Sequence, residues 1–160
     1  MFIPNRRTLA IAALALTAAA PAHAIDLERS TTVAAPPAKV WQTIGDFCGI
    51  GNWHPAVEKC TPSEMDGKKV RLLSLKGGGA IKEEQLSRDD KVMSYTYTIL
   101  ESPLPVSDYK STLSVAPDGQ GSKVTWTGNF NAKGAPDTVA KDAIQGIYDS
   151  GLKAIADKSK

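Results

Sequence analysis

The sequence predicts a single α+β domain in which an antiparallel sheet curves around a long C-terminal helix. One strand-like run and one amphipathic helix come first, six strand-like runs follow with short turn signals between them, and a second amphipathic helix closes the chain. Connections this short suit antiparallel strands, because a parallel pair needs a crossover of a dozen residues or more. Strands grouped in one block and followed by a helix are typical of α+β proteins. No internal repeat or low-complexity linker divides the chain, so we expect one domain.

The first strand is predicted over residues 27–33, and the first helix begins at Pro36-Pro37, since proline is tolerated in the first turn of a helix. Spacings of three and four give that helix an apolar side. Gly49 and Gly51 are predicted to end it, and a short turn containing Trp53 leads to Pro55. The apolar side consists of Ala38, Val40, Trp41, Ile44 and Phe47.

The six later strands are predicted over residues 57–62, 69–75, 80–87, 92–100, 107–115 and 123–130. Glycine, proline and aspartate turn signals separate them, and alternation of apolar and polar residues is clear in several. The last helix is predicted over residues 136–157, with one stripe of apolar and small side chains. Small residues in such a stripe let a helix approach a sheet closely or leave room beside it. The stripe consists of Ala140, Ile144, Ile147, Gly151 and Ile155.

Residues 1–24 have the pattern of a secretory signal peptide. Arg6 and Arg7 form a short basic region, residues 9–19 are apolar or small, and Ala22-His23-Ala24 offers small residues at the positions that a signal peptidase recognises. We therefore predict cleavage near Ala24, a mature domain over residues 25–160, and a periplasmic or secreted location. The arginine pair leaves the twin-arginine route open beside the general secretory route.

Removal of that segment changes the charge balance. The whole chain carries a formal net charge of +2, and loss of Arg6 and Arg7 leaves 17 basic residues against 17 acidic ones. A neutral chain without a basic run argues against nucleic acid as a partner. No second apolar span follows the first, so we expect no membrane span in the mature chain.

His54 lies six residues after Cys48 and six before Cys60, and the three together suggest either a metal site or a disulfide. Structural zinc sites usually have four ligands, in pairs separated by two to four residues, and this spacing does not match. Exported proteins form disulfides readily, and two cysteines allow one pairing. We therefore predict a Cys48–Cys60 disulfide that stabilises the fold by about 3 kcal/mol in the chain-entropy model, and we expect no metal.

Nucleophilic catalysis and phosphate binding receive little support. The paired cysteines leave His54 without a thiol partner, and no Gly-x-Ser-x-Gly elbow is present. The run Gly77-Gly78-Gly79 lacks the Gly-Lys-Ser/Thr ending of a phosphate loop, and no helix follows it. We predict a flexible strand connection or lid there, and no cofactor.

The order and spacing of several short pieces resemble the START-like family of helix-grip proteins, also called SRPBCC or polyketide cyclase/dehydrase proteins. These pieces run from Ala35-Pro36-Pro37 through Asp46-Phe47 and Trp53-His54-Pro55 to Glu84-Gln85-Leu86, Pro103-Leu104-Pro105 and Asp108-Tyr109-Lys110-Ser111. The resemblance covers the whole mature chain. It implies a helix-grip fold with a seven-stranded sheet and a small apolar cavity between the sheet and the last helix. With a signal peptide in front, it extends to the periplasmic MxaD-like proteins linked to methanol oxidation.

The plant abscisic acid receptors of the same superfamily imply the polar residues of the site. Their pattern matches His54 before the second strand, Glu84 within a strand, and the pair Tyr109 and Ser111. Their gate and latch loops fall at residues 77–80 and 103–105, where the sequence departs from theirs, and Trp126 replaces a further glutamate. Hormone recognition is therefore not implied, whereas a cavity gated by Gly77, Gly78, Gly79, Pro103, Leu104 and Pro105 is.

The leading hypothesis is a protein that binds a small hydrophobic ligand carrying one polar group. Arg71 is expected either to pair with Glu84 or to face solvent, and His54 either to act at the site or simply to be hydrogen-bonded near Pro55. One alternative is a cyclase or dehydratase that uses His54 and Glu84 as acid and base. The other is an accessory protein that docks on a periplasmic redox protein, a dehydrogenase or cytochrome. The predicted ligand-binding residues are Trp53, His54, Arg71, Glu84, Tyr95, Tyr97, Tyr109, Ser111 and Trp126.

Overall fold

The computed structural model describes residues 24–160, so the predicted signal peptide lies outside the described residues. The elements, in chain order, are β1 Ile25–Val33, α1 Pro37–Ile44, α2 Ile50–Trp53, β2 Val57–Met65, β3 Lys68–Leu75, β4 Ala80–Asp89, β5 Ser94–Glu101, β6 Val106–Asp118, β7 Gly121–Ala132 and α3 Asp137–Lys158. The predicted α+β order of strand, helix, six strands and long helix is confirmed.

The seven strands form one antiparallel sheet in the order β1-β7-β6-β5-β4-β3-β2. From β2 onward each strand pairs with the next strand of the chain, as short connections require. The first strand instead pairs with the last, with Ile25 opposite Phe130 and Val33 opposite Ser122. β1 and β2 are therefore the two edges of the sheet.

The first helix ends earlier than the sequence analysis predicted. α1 stops at Ile44, because Gly45 adopts φ +70°, a backbone conformation that favours glycine. Phe47 therefore lies in the connection and not on the helix, although it is still buried. The turn around Trp53 is a separate single-turn helix, α2.

The strand predicted to begin at Val92 begins at Ser94 instead. Met93 has φ +53°, which is incompatible with an extended strand. The side chain of Asp89 accepts a hydrogen bond from the backbone N–H of Lys91 and so holds this turn.

Helix α3 packs over the sheet with its apolar stripe inward. Ala140, Ile144, Gly151 and Ile155 are all buried, and Tyr148 beside them is fully enclosed. A Cβ atom added at Gly151 would lie 2.6 Å from Trp126 Cζ3. This glycine therefore permits the close approach of α3 to the sheet that the small residues of the stripe predicted. Within residues 24–160, no helix has the length and apolar character needed to cross a bilayer.

The predicted disulfide is confirmed. Cys48 and Cys60 are bonded, with their Cα atoms 5.6 Å apart. The bond joins the connection after α1 to strand β2, and Gly51 packs against Cys60. Helix α2 is consequently fixed against the sheet between these two points.

Candidate functional site

A cavity of about 250 Å³ lies between the sheet and α3. At roughly 30 Å³ per molecule it has the volume of about eight liquid waters, which suits a ligand of one ring or a short chain. Most of its wall is aliphatic or aromatic, as is usual for small-molecule sites. The lining residues are Ile50, His54, Ala56, Val57, Leu73, Leu75, Ile81, Glu83, Tyr97, Ile99, Leu104, Tyr109, Trp126, Ile144 and Ile147.

His54 lines this cavity with both ring nitrogens already hydrogen-bonded. Nδ1 accepts from the backbone N–H of Ala56 at 3.2 Å, so Nε2 carries the proton and donates to the carbonyl of Ile147 at 3.0 Å. Burial lowers the pKa of His54 from its ordinary 6.5, and the nearby Arg71 charge acts in the same direction, while the Ile147 carbonyl opposes both. His54 is therefore a neutral residue that joins α3 to the segment before β2.

A buried hydroxyl network occupies one side of the cavity. Ser111 donates to the Thr127 carbonyl at 2.7 Å; the Tyr148 hydroxyl lies 2.9 Å from Ser111 Oγ and 3.3 Å from the same carbonyl, so its shorter donation is to Ser111. The Tyr109 hydroxyl, 2.6 Å from that of Tyr148, must then donate in turn. The single N–H of Trp126 Nε1 is shared between Ser111 Oγ at 3.0 Å and the Tyr97 hydroxyl at 3.1 Å. Each of the three hydroxyls is therefore assigned as a donor to a particular acceptor, and the Trp126 N–H is assigned to two.

The same network leaves the Tyr97 hydroxyl proton only weakly engaged. Trp126 Nε1 donates to this hydroxyl at 3.1 Å, and within residues 24–160 the only acceptor for the Tyr97 proton is the Tyr109 oxygen, 3.4 Å away. Burial raises the pKa values of Tyr97 and Tyr109 well above their usual 10 and that of Tyr148 to about 12, so these hydroxyls are protonated. Tyr97 therefore presents a hydrogen-bond donor at the cavity wall.

A buried ion pair lies beside the network. Arg71 Nε donates to Glu83 Oε2 at 2.6 Å, and only 1% of the Arg71 side chain and 7% of the Glu83 side chain are exposed. Arg71 Nη1 donates to the Phe47 carbonyl, and the guanidinium carbon lies 4.0 Å from the centroid of the Phe47 ring and 5.1 Å from that of Tyr97. Burial raises the pKa of Glu83 and the Arg71 charge lowers it, with burial the larger effect. Glu83 lines the cavity, whereas Arg71 stands behind it.

The expectation that Glu84 points into the cavity is wrong. Its carboxylate accepts a hydrogen bond from Lys68 Nζ at 2.8 Å, on a lysine whose side chain is 57% exposed. Successive residues of a strand point to opposite faces, so Glu83 on the cavity side places Glu84 on the other. Both expectations for Arg71, a pair with Glu84 or a position facing solvent, are also wrong, because Arg71 is fully buried and pairs with Glu83. The acid–base pair of His54 and Glu84 is not brought together.

The other predicted ligand-binding residues divide into two groups. Tyr97, Tyr109 and Trp126 line the cavity together with His54, whereas Trp53, Tyr95 and Ser111 stand behind the wall. Trp53 donates to the Ile44 carbonyl at 3.1 Å and packs edge-on to Trp126. Tyr95 is core, enclosed by Trp41 and Phe47. Among residues 24–160 no group of three or more His, Cys, Asp or Glu side chains could hold a metal ion.

The two predicted gate loops approach each other. Gly77, Gly78 and Gly79 all have φ between +88° and +100°, and a Cβ atom at Gly79 would lie 3.8 Å from Pro103. Leu104 of the second loop lines the cavity, whereas the glycines do not. The two loops therefore meet beside the cavity, and Leu104 closes part of its wall.

Two residues of the site were missed as functional residues in the sequence analysis. The resemblance pointed to Glu84 and not to Glu83; Arg71, two positions before the apolar Leu73 on the facing strand, is the signal that could have favoured Glu83. Tyr148 lies next to Ile147 of the predicted apolar stripe of the last helix, and no motif in the sequence marks it. Its ring stacks on Trp126, with centroids 4.6 Å apart, and its hydroxyl belongs to the network. A Cβ atom at Gly128 would lie 2.4 Å from that hydroxyl, so this glycine makes room for it.

Residues 24–160 match a protein family described as polyketide cyclase / dehydrase and lipid transport. The chain belongs to this family. No curated protein sequence matches it. Among solved structures, the polyketide cyclase/dehydrase chain is similar to the protein XoxI from Bacillus cereus, at 33% identity and a TM-score of 0.78, covering 83% of this chain and 94% of that one.

Two further solved structures are similar to this chain. A protein from Bacillus thuringiensis is 31% identical with a TM-score of 0.77, over 84% of this chain and 98% of that chain. An aromatase/cyclase, Zhui, from Streptomyces sp. R1128 is 20% identical with a TM-score of 0.69, over 86% and 94% of the two chains. The last likeness supports the fold alone. The predicted helix-grip fold and START-like family are thus confirmed.

Proposed function

We propose that the protein is exported and binds a small apolar molecule carrying one polar group in the cavity between the sheet and α3. The observation that carries this proposal is the cavity itself, about 250 Å³ and enclosed mainly by aliphatic and aromatic side chains. Apolar walls of this kind are typical of small-molecule sites, because an apolar ligand placed against them leaves water and makes dispersion contacts with the lining atoms.

The hydroxyl network supports a polar group on that molecule. Among the residues that the structure describes, the Tyr97 proton has no acceptor nearer than the Tyr109 oxygen at 3.4 Å, and Tyr97 lies at the wall of the cavity. A ligand oxygen placed there would accept it. Export rests on the predicted signal peptide alone and is tested by the size of the mature protein recovered from the periplasmic fraction.

Binding is tested with a variant that fills the cavity. Leu104→Trp should occupy part of the space and weaken binding of one-ring apolar compounds by about tenfold or more, because Leu104 is a lining residue on the connection between β5 and β6. Val139→Trp is the matched control, since Val139 is 50% exposed on α3 and does not line the cavity. The measurement is calorimetric titration, in which burial of apolar surface gives a negative heat-capacity change.

Two outcomes would count against binding. One is the absence of any titratable heat with a panel of one-ring and short-chain compounds. The other is equal weakening by Leu104→Trp and Val139→Trp. Native mass spectrometry of the protein purified from its own host then identifies the resident molecule, and a co-purifying redox protein would support the docking alternative instead.

A further inference from the structure

Glu83 places a carboxylate on an otherwise apolar cavity wall. One carboxylate oxygen, Oε2, accepts from Arg71 Nε at 2.6 Å. The other, Oε1, receives no hydrogen bond from residues 24–160. It is not one of the fully buried polar atoms that lack a partner, so it remains accessible. An ionised carboxylate can accept several hydrogen bonds. The Glu83 side chain therefore has unused acceptor capacity facing the cavity.

Arg71 gives this carboxylate its charge balance. The guanidinium is fully buried and held from three sides, by Glu83, by the Phe47 carbonyl and by the rings of Phe47 and Tyr97. A buried ion pair is seldom a gain in stability over apolar residues of the same volume. Because the pair lies against the cavity wall, its carboxylate can accept a hydrogen bond from a ligand. The ligand need not supply a cation, since Arg71 already balances the charge.

The chemistry of the wall then limits the ligand. A carboxylate whose charge is balanced by arginine favours a ligand that is a neutral hydrogen-bond donor. An anionic ligand is repelled, because the carboxylate is the charged group that faces the same low-dielectric space. A hydroxyl meets both demands of the wall, since it donates to a carboxylate and accepts from a tyrosine hydroxyl such as Tyr97.

We propose that Glu83 is the polar anchor of the cavity and that the ligand is a neutral one-ring or short-chain molecule bearing a hydroxyl, a phenol or an alcohol, which donates to Glu83. This inference rests on the proposed binding function. It predicts that a ligand with a hydroxyl binds more tightly than one without it, and that a ligand with a carboxylate binds more weakly. Binding of apolar molecules in general predicts neither preference.

The test compares three probes of similar size: p-cresol, its methyl ether 4-methylanisole, and 4-methylbenzoate. The cresol should bind the wild-type protein about tenfold to a hundredfold more tightly than the ether, because a hydrogen bond to a charged group is among the stronger ones. The benzoate should bind more weakly than both. Affinities are measured by NMR titration of the full mature protein.

Variants then connect the preference to Glu83. Removing one ion alone strands the other, so the test variant is the double substitution Arg71→Met with Glu83→Met, which replaces the pair by apolar side chains of similar volume. It should lose the preference for cresol, read as the ratio of the cresol and ether affinities measured in the same variant, so that a general change in affinity does not affect the result. Glu84→Gln is the matched control, since Glu84 faces Lys68 and not the cavity, and it should keep the full preference.

The outcomes separate the two proposals. If none of the three probes binds, the binding function proposed above is overturned together with this inference. If the probes bind and the wild type does not prefer cresol, or if the double variant keeps that preference, Glu83 is not the anchor while the binding function stands. Loss of the preference in Glu84→Gln would likewise overturn the assignment to Glu83.

Discussion

Gly151 is the residue at which α3 comes closest to the site. A Cβ atom there would lie 2.6 Å from Trp126 Cζ3 and 2.8 Å from His54 Cδ2, both well inside contact distance. A single methyl group at this position must therefore displace an indole and an imidazole that line the cavity. The free volume at one glycine thus determines how closely the helix and the sheet can pack.

We expect Gly151→Ala to lower the free energy of unfolding by about 1–3 kcal/mol, the usual cost of overpacking. Gly146→Ala is the control on the same helix, because no atom lies within 4 Å of its added Cβ. That change should stabilise the protein by about 0.5–1 kcal/mol through helix propensity. Chemical denaturation of the two variants checks both signs, and equal effects would show that the close approach at Gly151 is not limiting.

His54 should make the stability depend on pH. Its folded-state pKa is lowered from 6.5 by burial, so the unfolded chain takes up a proton at a pH where the folded protein does not. Stability is then complete above pH 6.5 and falls as the pH drops from there toward the lowered pKa. The raised pKa of Glu83 acts in the opposite direction, because as the pH falls toward 4.5 the folded protein takes up this proton before the unfolded chain does and gains stability.

The contribution of His54 is isolated by comparison with His54→Gln. The difference in unfolding free energy between wild type and variant should shrink as the pH falls from 7.5 to 5. In the wild type alone, the unfolded chain gains a proton on His54 that the folded protein does not take up, and this destabilises the folded state. Urea denaturation at a series of pH values gives this difference. A difference that is constant with pH would show that His54 titrates alike in the folded and unfolded states.

At the scale of elements, the disulfide determines the position of α2. This single-turn helix supplies Ile50 to the cavity wall and is followed at once by His54. A helix of four residues has no stability of its own in water. It is kept in place by the Cys48–Cys60 bond, by the packing of Gly51 on Cys60, and by the Arg71 hydrogen bond to the Phe47 carbonyl.

We expect the double variant Cys48→Ser with Cys60→Ser to lose about 3 kcal/mol of stability, because the bond closes a short loop in the unfolded chain. The measurement is denaturation of the oxidised wild type and the variant, with a thiol titration of the wild type before reduction as a check on pairing. Reductant should destabilise the wild type and leave the variant unchanged. Coincident unfolding curves for oxidised wild type and variant would contradict a stabilising role.

At the scale of the whole molecule, the fold could be predicted because the spacing of apolar residues along the chain indicates most of its elements. Alternation in the strands, the apolar stripe of α3 and the short connections are all local patterns, and together they allow few arrangements. The end of α1 could not be placed, because Gly45, Gly49 and Gly51 all offer a stop and only tertiary packing selects the first. The start of β5 was missed for a similar reason, since the positive φ of Met93 arises from the turn at Asp89.

The polar side of the cavity was less accessible to sequence reasoning. Alternation shows that one of Glu83 and Glu84 faces inward, but the choice depends on the register of β3 against β4, where Arg71 lies opposite Glu83. Register is set by pairing along the whole strand and by bulges, such as the one between Lys82 and Glu83. The tyrosine network likewise depends on residues from β5, β6, β7 and α3 that meet only after folding.

The sheet is open, and its two edge strands have a bearing on how the protein behaves when it is concentrated. An exposed edge with free backbone groups can pair with another chain and start aggregation. β2 carries Pro62, which lacks an N–H, and the charged side chains of Glu58, Lys59 and Glu64. These features discourage a further strand from adding at that edge, so the sheet resists growth on its β2 side.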